Sequence, residues 1–162
     1  MKRLAIALAT LSIFSVAQAS NPHFIYANGV LNTTTGDYVA SFKEAGLGKN
    51  QNVQYLLEAD ANFVFQCYTK SNNQPQGAPN AGGSGHLSEP GTFNSGKNGN
   101  IVASLTLSPE VGDASCQGNG LKLCLNSVSY QNVTLKDNTN EGVPVQHLPS
   151  ASTTFSEPIC GF

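Results

Sequence analysis

Residues 53–67 read VQYLLEADANFVFQC and contain the longest regular pattern in the chain. Glu58 and Asp60 are among the residues that separate its apolar positions. Successive side chains of a β-strand point to opposite faces, so the alternation predicts a half-buried strand, or two strands if the chain bends midway. The apolar residues that share one phase are Val53, Tyr55, Leu57, Ala59, Ala61, Phe63, Phe65 and Cys67.

Shorter runs with the same two-residue period occur along the rest of the chain, and turn-forming residues separate them. The runs are Tyr38, Ala40 and Phe42; Ile101, Ala103, Leu105 and Leu107; Leu121, Leu123 and Leu125; and the stretch 128–135. The predicted turns are Asn28-Gly29 and residues 35–37, 46–51, 96–99, 118–120 and 137–142. Sheets with one polar face bury the other against a second sheet. The pattern therefore predicts an all-β domain: one antiparallel β-sandwich of seven or eight strands, immunoglobulin-like or jelly-roll-like.

Residues 70–91 are rich in proline and glycine and break this regularity. Proline lacks the amide donor that a strand ladder needs, and glycine weakens strand interiors. We therefore predict a long loop here, with Tyr68, His86 and Glu89 in or beside it as candidate binding residues.

The chain begins with the features of an export signal. Lys2 and Arg3 precede an apolar run over 4–16, and Ala17-Gln18-Ala19 then matches a signal-peptidase site. We predict cleavage between Ala19 and Ser20, which leaves one domain over residues 20–162. Later apolar runs are too short for a membrane span, so no membrane anchor is expected, and the predicted location is extracellular or periplasmic.

The charge of the predicted mature chain disfavours nucleic acid as a partner. Without residues 1–19 the chain has six lysines, no arginine and ten carboxylates, a net charge of about −4. Phosphate recognition relies on clustered cations, whereas these lysines are scattered singly.

Cys67, Cys116, Cys124 and Cys160 all follow the predicted cleavage site. An even number of cysteines in an exported chain predicts two disulfides. The spacing alone allows three pairings, including a local bridge between Cys116 and Cys124 across a turn.

Four motifs follow one another along the chain: SFKEAGLG at 41–48, GTF at 91–93, KNG at 97–99 and VSYQNV at 128–133. Their order resembles a family of small secreted bacterial proteins, common in actinomycetes, that is uncharacterised. The resemblance covers most of residues 38–137. It implies a β-sandwich, and it implies that Cys67 pairs with Cys116, which leaves Cys124 to pair with Cys160. This chain departs from the family pattern in having the second cysteine pair and in placing Gln117, not proline, after Cys116.

No motif in the sequence predicts a catalytic site. GGSGH at 82–86 lacks the last glycine of a serine-hydrolase elbow, and it lies in the predicted loop. His23, His86 and His147 are too far apart in sequence to indicate a metal site. Glu58 and Asp60 are a carboxylate pair on one strand face, but the chain has no tryptophan to stack a sugar beside them.

Oxygen-bearing side chains at 137–141 are weak calcium candidates, chiefly Asp137, Asn140 and Glu141. Their spacing is not that of an EF-hand, and a solvated turn explains them as well. We predict no cofactor. We expect a non-enzymatic binding or cell-envelope module whose ligand the sequence does not identify. The candidate partners are a cell-wall glycan and an exported protein. The alternatives are a hydrolase whose site only the fold assembles and an inhibitor that presents the 70–91 loop.

Overall fold

The computed structural model describes residues 21–161, so the predicted signal peptide and the Ala19–Ser20 cleavage site lie outside it. The described chain is all-β, with eight strands. The strands are β1 (His23–Leu31), β2 (Tyr38–Ala45), β3 (Asn52–Thr69), β4 (Pro75–Asn94), β5 (Ile101–Leu107), β6 (Leu121–Asp137), β7 (Gln146–His147) and β8 (Ala151–Cys160). Within these residues, no helix is long and apolar enough to cross a membrane.

The strands form two antiparallel sheets, which confirms the predicted β-sandwich. The smaller sheet has the order β1-β2-β5. The larger sheet has the order β4-β3-β6, and both β7 and β8 pair with the free side of β6. Each sheet buries its inner face against the other, as sandwich packing requires.

Strand β3 is the centre of the core, as its alternation predicts. All eight in-phase residues from Val53 to Cys67 are at most 7% exposed. Aromatic rings from both sheets contact one another above this strand: the ring centroids of Phe42 and Tyr55 are 4.5 Å apart, and those of Phe63 and Tyr130 are 5.8 Å apart. The strand is continuous, with register shifts at bulges rather than a break into two strands.

The predicted loop over 70–91 is wrong for most of its length. Only residues 70–74 form a turn, and Pro75–Asn94 is strand β4, which pairs with β3. Prolines are tolerated because β4 is the edge of its sheet: an edge strand needs hydrogen bonds on one side only. The composition therefore indicates an edge strand, which sequence alone does not distinguish from a loop.

The predicted turn at Asn28-Gly29 is also wrong, because both residues lie inside β1 and pair with Ser41 and Ala40 of β2. Glycine is needed there for packing rather than for turning. A Cβ atom on Gly29 would overlap the buried ring of Tyr38. Strands β1 and β8 were not predicted from the sequence.

Two disulfides join Cys67 to Cys116 and Cys124 to Cys160. This is the pairing that the family resemblance implies, and it excludes the local bridge between Cys116 and Cys124. Cys124 and Cys160 are register partners on β6 and β8, with Cα atoms 4.1 Å apart. The second bridge therefore holds the end of the last strand against the larger sheet.

Candidate functional site

His86, Glu58 and Asp60 form a cluster on the outer face of the larger sheet. Asp60 of β3 and His86 of β4 are direct register partners, and Glu58 lies two residues before Asp60 on the same face. His86 Nε2 is 3.1 Å from Glu58 Oε1, and His86 Nδ1 is 3.2 Å from Asp60 Oδ1. The alternation of β3 thus explains the carboxylate pair, whereas strand pairing brings the histidine to it.

Asn132 completes the cluster from strand β6. Its side-chain amide donates a hydrogen bond of 2.7 Å to Asp60 Oδ2. Asn132 has a φ of 52° and lies where the β3–β6 register shifts, between Glu58 and Asp60. Asparagine adopts this left-handed conformation more readily than most residues, and a bulge re-aims side chains. Nothing in the local sequence indicates that Asn132 would reach Asp60.

The electrostatics of the cluster favour a charged histidine. The hydrogen bonds that His86 donates to Glu58 and, to a smaller extent, to Asp60 raise the pKa of His86. The hydrogen bond from Asn132, followed by that from His86, lowers the pKa of Asp60. The His86 and Asp60 side chains are 58% and 56% exposed and that of Glu58 is 31% exposed, so solvent screens these interactions strongly.

This arrangement does not provide a catalytic base. A serine hydrolase needs one imidazole nitrogen to bond a carboxylate and the other to accept a proton from the nucleophile. Both ring nitrogens of His86 instead meet carboxylates, and no hydrogen bond joins Ser84 to His86 in the described chain. Among residues 21–161, no group of three potential ligands is placed to hold a metal ion. His23 lies on β1 in the other sheet, and His147 lies on β7 beyond β6.

A polar groove of about 340 Å³ lies on the same outer face, beside the cluster. Asn62, which lines the groove, follows Asp60 by two residues on β3. It pairs in register with Ser129 of β6, and Ser129 pairs in turn with Ser152 of β8. Five hydroxyl-bearing residues and one amide line most of it, together with two valines. The full lining is Asn62, Val64, Ser127, Val128, Ser129, Ser152, Thr153 and Thr154.

The other candidate binding residues do not join this cluster. Tyr68 is half-buried on β3, and its hydroxyl donates to Asn126 Oδ1 over 3.1 Å. A separate pocket of about 360 Å³ beside it is lined in part by Lys122 and Glu157. Glu89 is exposed on the edge strand β4 and pairs in register with Leu57.

Asp137, the first of the weak calcium candidates, caps a turn. Its Oδ1 accepts hydrogen bonds from the backbone amides of Thr139 and Asn140, and its Oδ2 accepts one from the Asn140 side chain. Asp137 is only 4% exposed, whereas Glu141 points into solvent. These hydrogen bonds explain Asp137 as the cap of the turn that follows β6, and calcium binding here stays a prediction.

The sequence analysis missed Glu44, a carboxylate buried between the sheets. Glu44 is 0% exposed, and neither of its oxygens has a hydrogen-bond partner in the described structure, although Tyr55 and Asp137 lie close. Burial raises its pKa to about 7. Its position follows the phase of Tyr38, Ala40 and Phe42, so the alternation of β2 already indicated an inward side chain.

Comparisons with known proteins add little to this geometry. No protein-family model matches the chain, and the search of curated proteins found no significant match. Among solved structures, the chain is similar to the sporulation control protein Spo0M from Bacillus subtilis, at 8% identity and a TM-score of 0.25. The similarity covers 86% of this chain and 47% of that protein, so the chain spans about half the length of its structural neighbour. It carries no argument about function.

Proposed function

We propose that this chain is an exported, non-catalytic binding module that recognises a hydroxyl-rich polymer, such as a cell-wall glycan. The groove beside the His86 cluster is the binding site. The observation that carries this proposal is the set of free polar side chains in the groove, on a sheet face that no other part of the described chain covers.

The hydrogen-bonding capacity of the groove supports the proposal. Within residues 21–161, none of the six polar side chains of its lining forms a side-chain hydrogen bond with the rest of the protein. Each serine or threonine hydroxyl can donate one hydrogen bond and accept two, and the Asn62 amide can do both. Sugar hydroxyls offer the same mixture of donors and acceptors. The volume is at the lower end of that of typical ligand clefts.

The His86 cluster favours binding over hydrolysis. Both imidazole nitrogens already bond carboxylates, so His86 has no free nitrogen with which to activate a nucleophile. Glu58 and Asp60 are held by the same imidazole, although inverting and retaining glycosidases need one free acid and one free base or nucleophile. The cluster instead places a net negative charge at one edge of the groove.

Export is supported by the two disulfides, which persist in oxidising compartments. The rival interpretation as an inhibitor loses its structural basis, because the loop it required is strand β4. The hydrolase interpretation has no base among the residues described above.

The proposal is tested by measuring binding of the purified mature protein, with its disulfides intact, to insoluble peptidoglycan, cellulose and chitin. We expect saturable binding to at least one polymer. Substitution of Ser152 by Asp places a charge in the groove and is expected to weaken that binding at least tenfold. Val102→Asp, on the outer face of the other sheet, is the matched control and is expected to bind like the wild type.

Release of soluble sugar is measured in the same incubations. Turnover that the His86→Ala substitution abolishes would show that the protein is a hydrolase. Equal losses in the Ser152 and Val102 variants, or no binding to any polymer, would contradict the assignment of the groove.

A further inference from the structure

The smaller sheet carries a second surface that is unlike the polar groove. Its outer face exposes Ile25 (52%), Tyr26 (39%), Val30 (64%) and Val102 (69%). In the described chain, Val145 is the one other large hydrophobic residue with comparable exposure. We refer to Ile25, Tyr26 and Val102, together with Lys43, as the apolar patch. Val30 lies apart from it, because the polar row of Asn28, Ser41 and Ser104 comes between. Exposed apolar side chains that lie together, rather than scattered singly, mark interaction sites.

A β-bulge creates the patch. Phe24 pairs with Glu44 and Tyr26 pairs with Lys43, so Ile25 is an extra residue in β1. Phe24 packs inward against Phe42, with ring centroids 6.0 Å apart. Without the bulge, Tyr26 would also point inward; with it, Ile25 and Tyr26 are both exposed. Bulges re-aim side chains and are over-represented at sheet edges and next to active sites. This one, on the edge strand β1, exposes two large apolar groups at a cost in solvation.

Strand pairing places a single cation within the patch. Tyr26, Lys43 and Val102 form one register row across β1, β2 and β5. Lys43 forms no ion pair with any described residue. The outward residues of these three strands include no carboxylate, although carboxylates outnumber lysines in the mature chain. In a symmetric contact the partner presents the same face, which has no carboxylate to pair with Lys43, so a second copy fits the patch poorly.

We propose that the apolar patch binds an acidic segment of an exported protein, with apolar side chains against Ile25, Tyr26 and Val102 and a carboxylate against Lys43. Branched aliphatic side chains around one aromatic ring are typical of protein interfaces, which combine an apolar centre with a few charges. An anionic glycan is disfavoured because a repeating anionic polymer needs several cations, and the patch has one lysine. With the groove on the opposite sheet, the protein would join a polymer to a protein partner. Protein binding at the patch does not require polymer binding in the groove.

The test is a selection of random 12-residue displayed peptides against the immobilised mature protein, followed by affinity measurements on synthetic peptides. We expect enrichment of aspartate or glutamate next to aliphatic or aromatic residues, and binding that weakens with salt. Val102→Asp is expected to weaken binding at least tenfold, and Lys43→Glu is expected to shift the selected peptides to basic ones. Ser152→Asp, in the groove, is the matched control and is expected to leave peptide affinity unchanged.

Several results would overturn the proposal. The first is the absence of any enriched peptide, and the second is enrichment of peptides without acidic residues. The third is a Val102→Asp variant that binds the selected peptides as tightly as the wild type does. Two alternative occupants are measured directly. Polygalacturonate binding that Val102→Asp abolishes would assign the patch to an anionic glycan. Dimerisation in sedimentation experiments that the same substitution abolishes would assign it to a second copy. If Val102→Asp does not fold, Val102→Ser replaces it, because a polar residue of smaller size suits an exposed strand position.

Discussion

At the scale of single residues, the buried carboxyl group of Glu44 makes the stability of the protein depend on pH. It faces Tyr55 of β3, Asp137 of β6 and, at longer range, His23 of β1. Desolvation is the main cause of its raised pKa, and the nearby Asp137 adds to it, whereas Tyr55 and His23 oppose it. Burying an ionised carboxylate without partners is costly, so the folded protein favours the protonated form.

The sign of this effect follows from linkage. The pKa of Glu44 is about 7 in the folded state and 4.5 as its ordinary value. Below pH 4.5 the Glu44 carboxyl group is protonated in both the folded and the unfolded state, so it does not lower the free energy of unfolding. As the pH rises to 7 and beyond, the unfolded state loses the proton first, so the folded state loses up to about 3 kcal/mol.

We therefore predict that Glu44→Gln stabilises the protein at pH 8 by up to about 3 kcal/mol and has little effect at pH 4. Urea unfolding of both proteins across this range provides the measurement, and the difference between them isolates Glu44 from other titrating groups. A difference that does not change with pH would show that Glu44 has an ordinary pKa in the folded protein.

At the scale of elements, the pairing of β1 with β2 depends on close contact between one glycine and one tyrosine. Gly29 faces Ala40 across the ladder, and the Tyr38 ring covers it. Tyr38 cannot move aside easily: it is fully buried, and its hydroxyl donates a hydrogen bond of 2.7 Å to the Pro149 carbonyl. Burial also raises the pKa of Tyr38 to about 12, so this hydroxyl remains a donor at physiological pH.

We predict that Gly29→Ala destabilises the fold by about 1–3 kcal/mol, because the added methyl group overpacks a filled space. Gly85→Ala on β4 is the matched control. A Cβ at Gly85 would meet no atom within 4 Å, so its effect should be near zero or slightly stabilising. Equal unfolding midpoints for the two variants in urea would contradict the packing role of Gly29.

At the scale of the whole molecule, two disulfides restrain segments that the sheets hold weakly. Cys67–Cys116 ties the irregular stretch between β5 and β6 to the central strand β3. Cys124–Cys160 ties the last strand, β8, to β6. The two cysteines of a bridge are 49 residues apart in the first disulfide and 36 residues apart in the second. The entropy that a disulfide removes from the unfolded chain depends only weakly on such a difference in loop length.

We predict that Cys67→Ala with Cys116→Ala, and Cys124→Ala with Cys160→Ala, each cost about 2–4 kcal/mol of unfolding free energy, with similar values for the two pairs. Chemical unfolding under non-reducing conditions measures both. A negligible loss for one pair would show that the sheets already hold that segment in place.

The sequence predicted the features that depend on strand geometry alone. The alternation over 53–67 identified the buried face of β3, and it also placed Glu58 and Asp60 together on the outer face. The runs that include Phe42 and Leu105 likewise lie in strands with those side chains buried. The site was predicted only in part: His86, Glu58 and Asp60 were candidates, but as separate features of a loop and a strand.

The sequence by itself therefore determined the fold class, the face of each alternating strand and the presence of two disulfides, because these follow from local periodicity and cysteine count. The tertiary structure alone decided that 75–94 is an edge strand and that Asn132 bonds Asp60. It also decided that a bulge exposes Ile25 and Tyr26. The physical reason is that edge position, bulges and cross-strand contacts depend on which distant segments pair, and the local pattern carries no information about the partner.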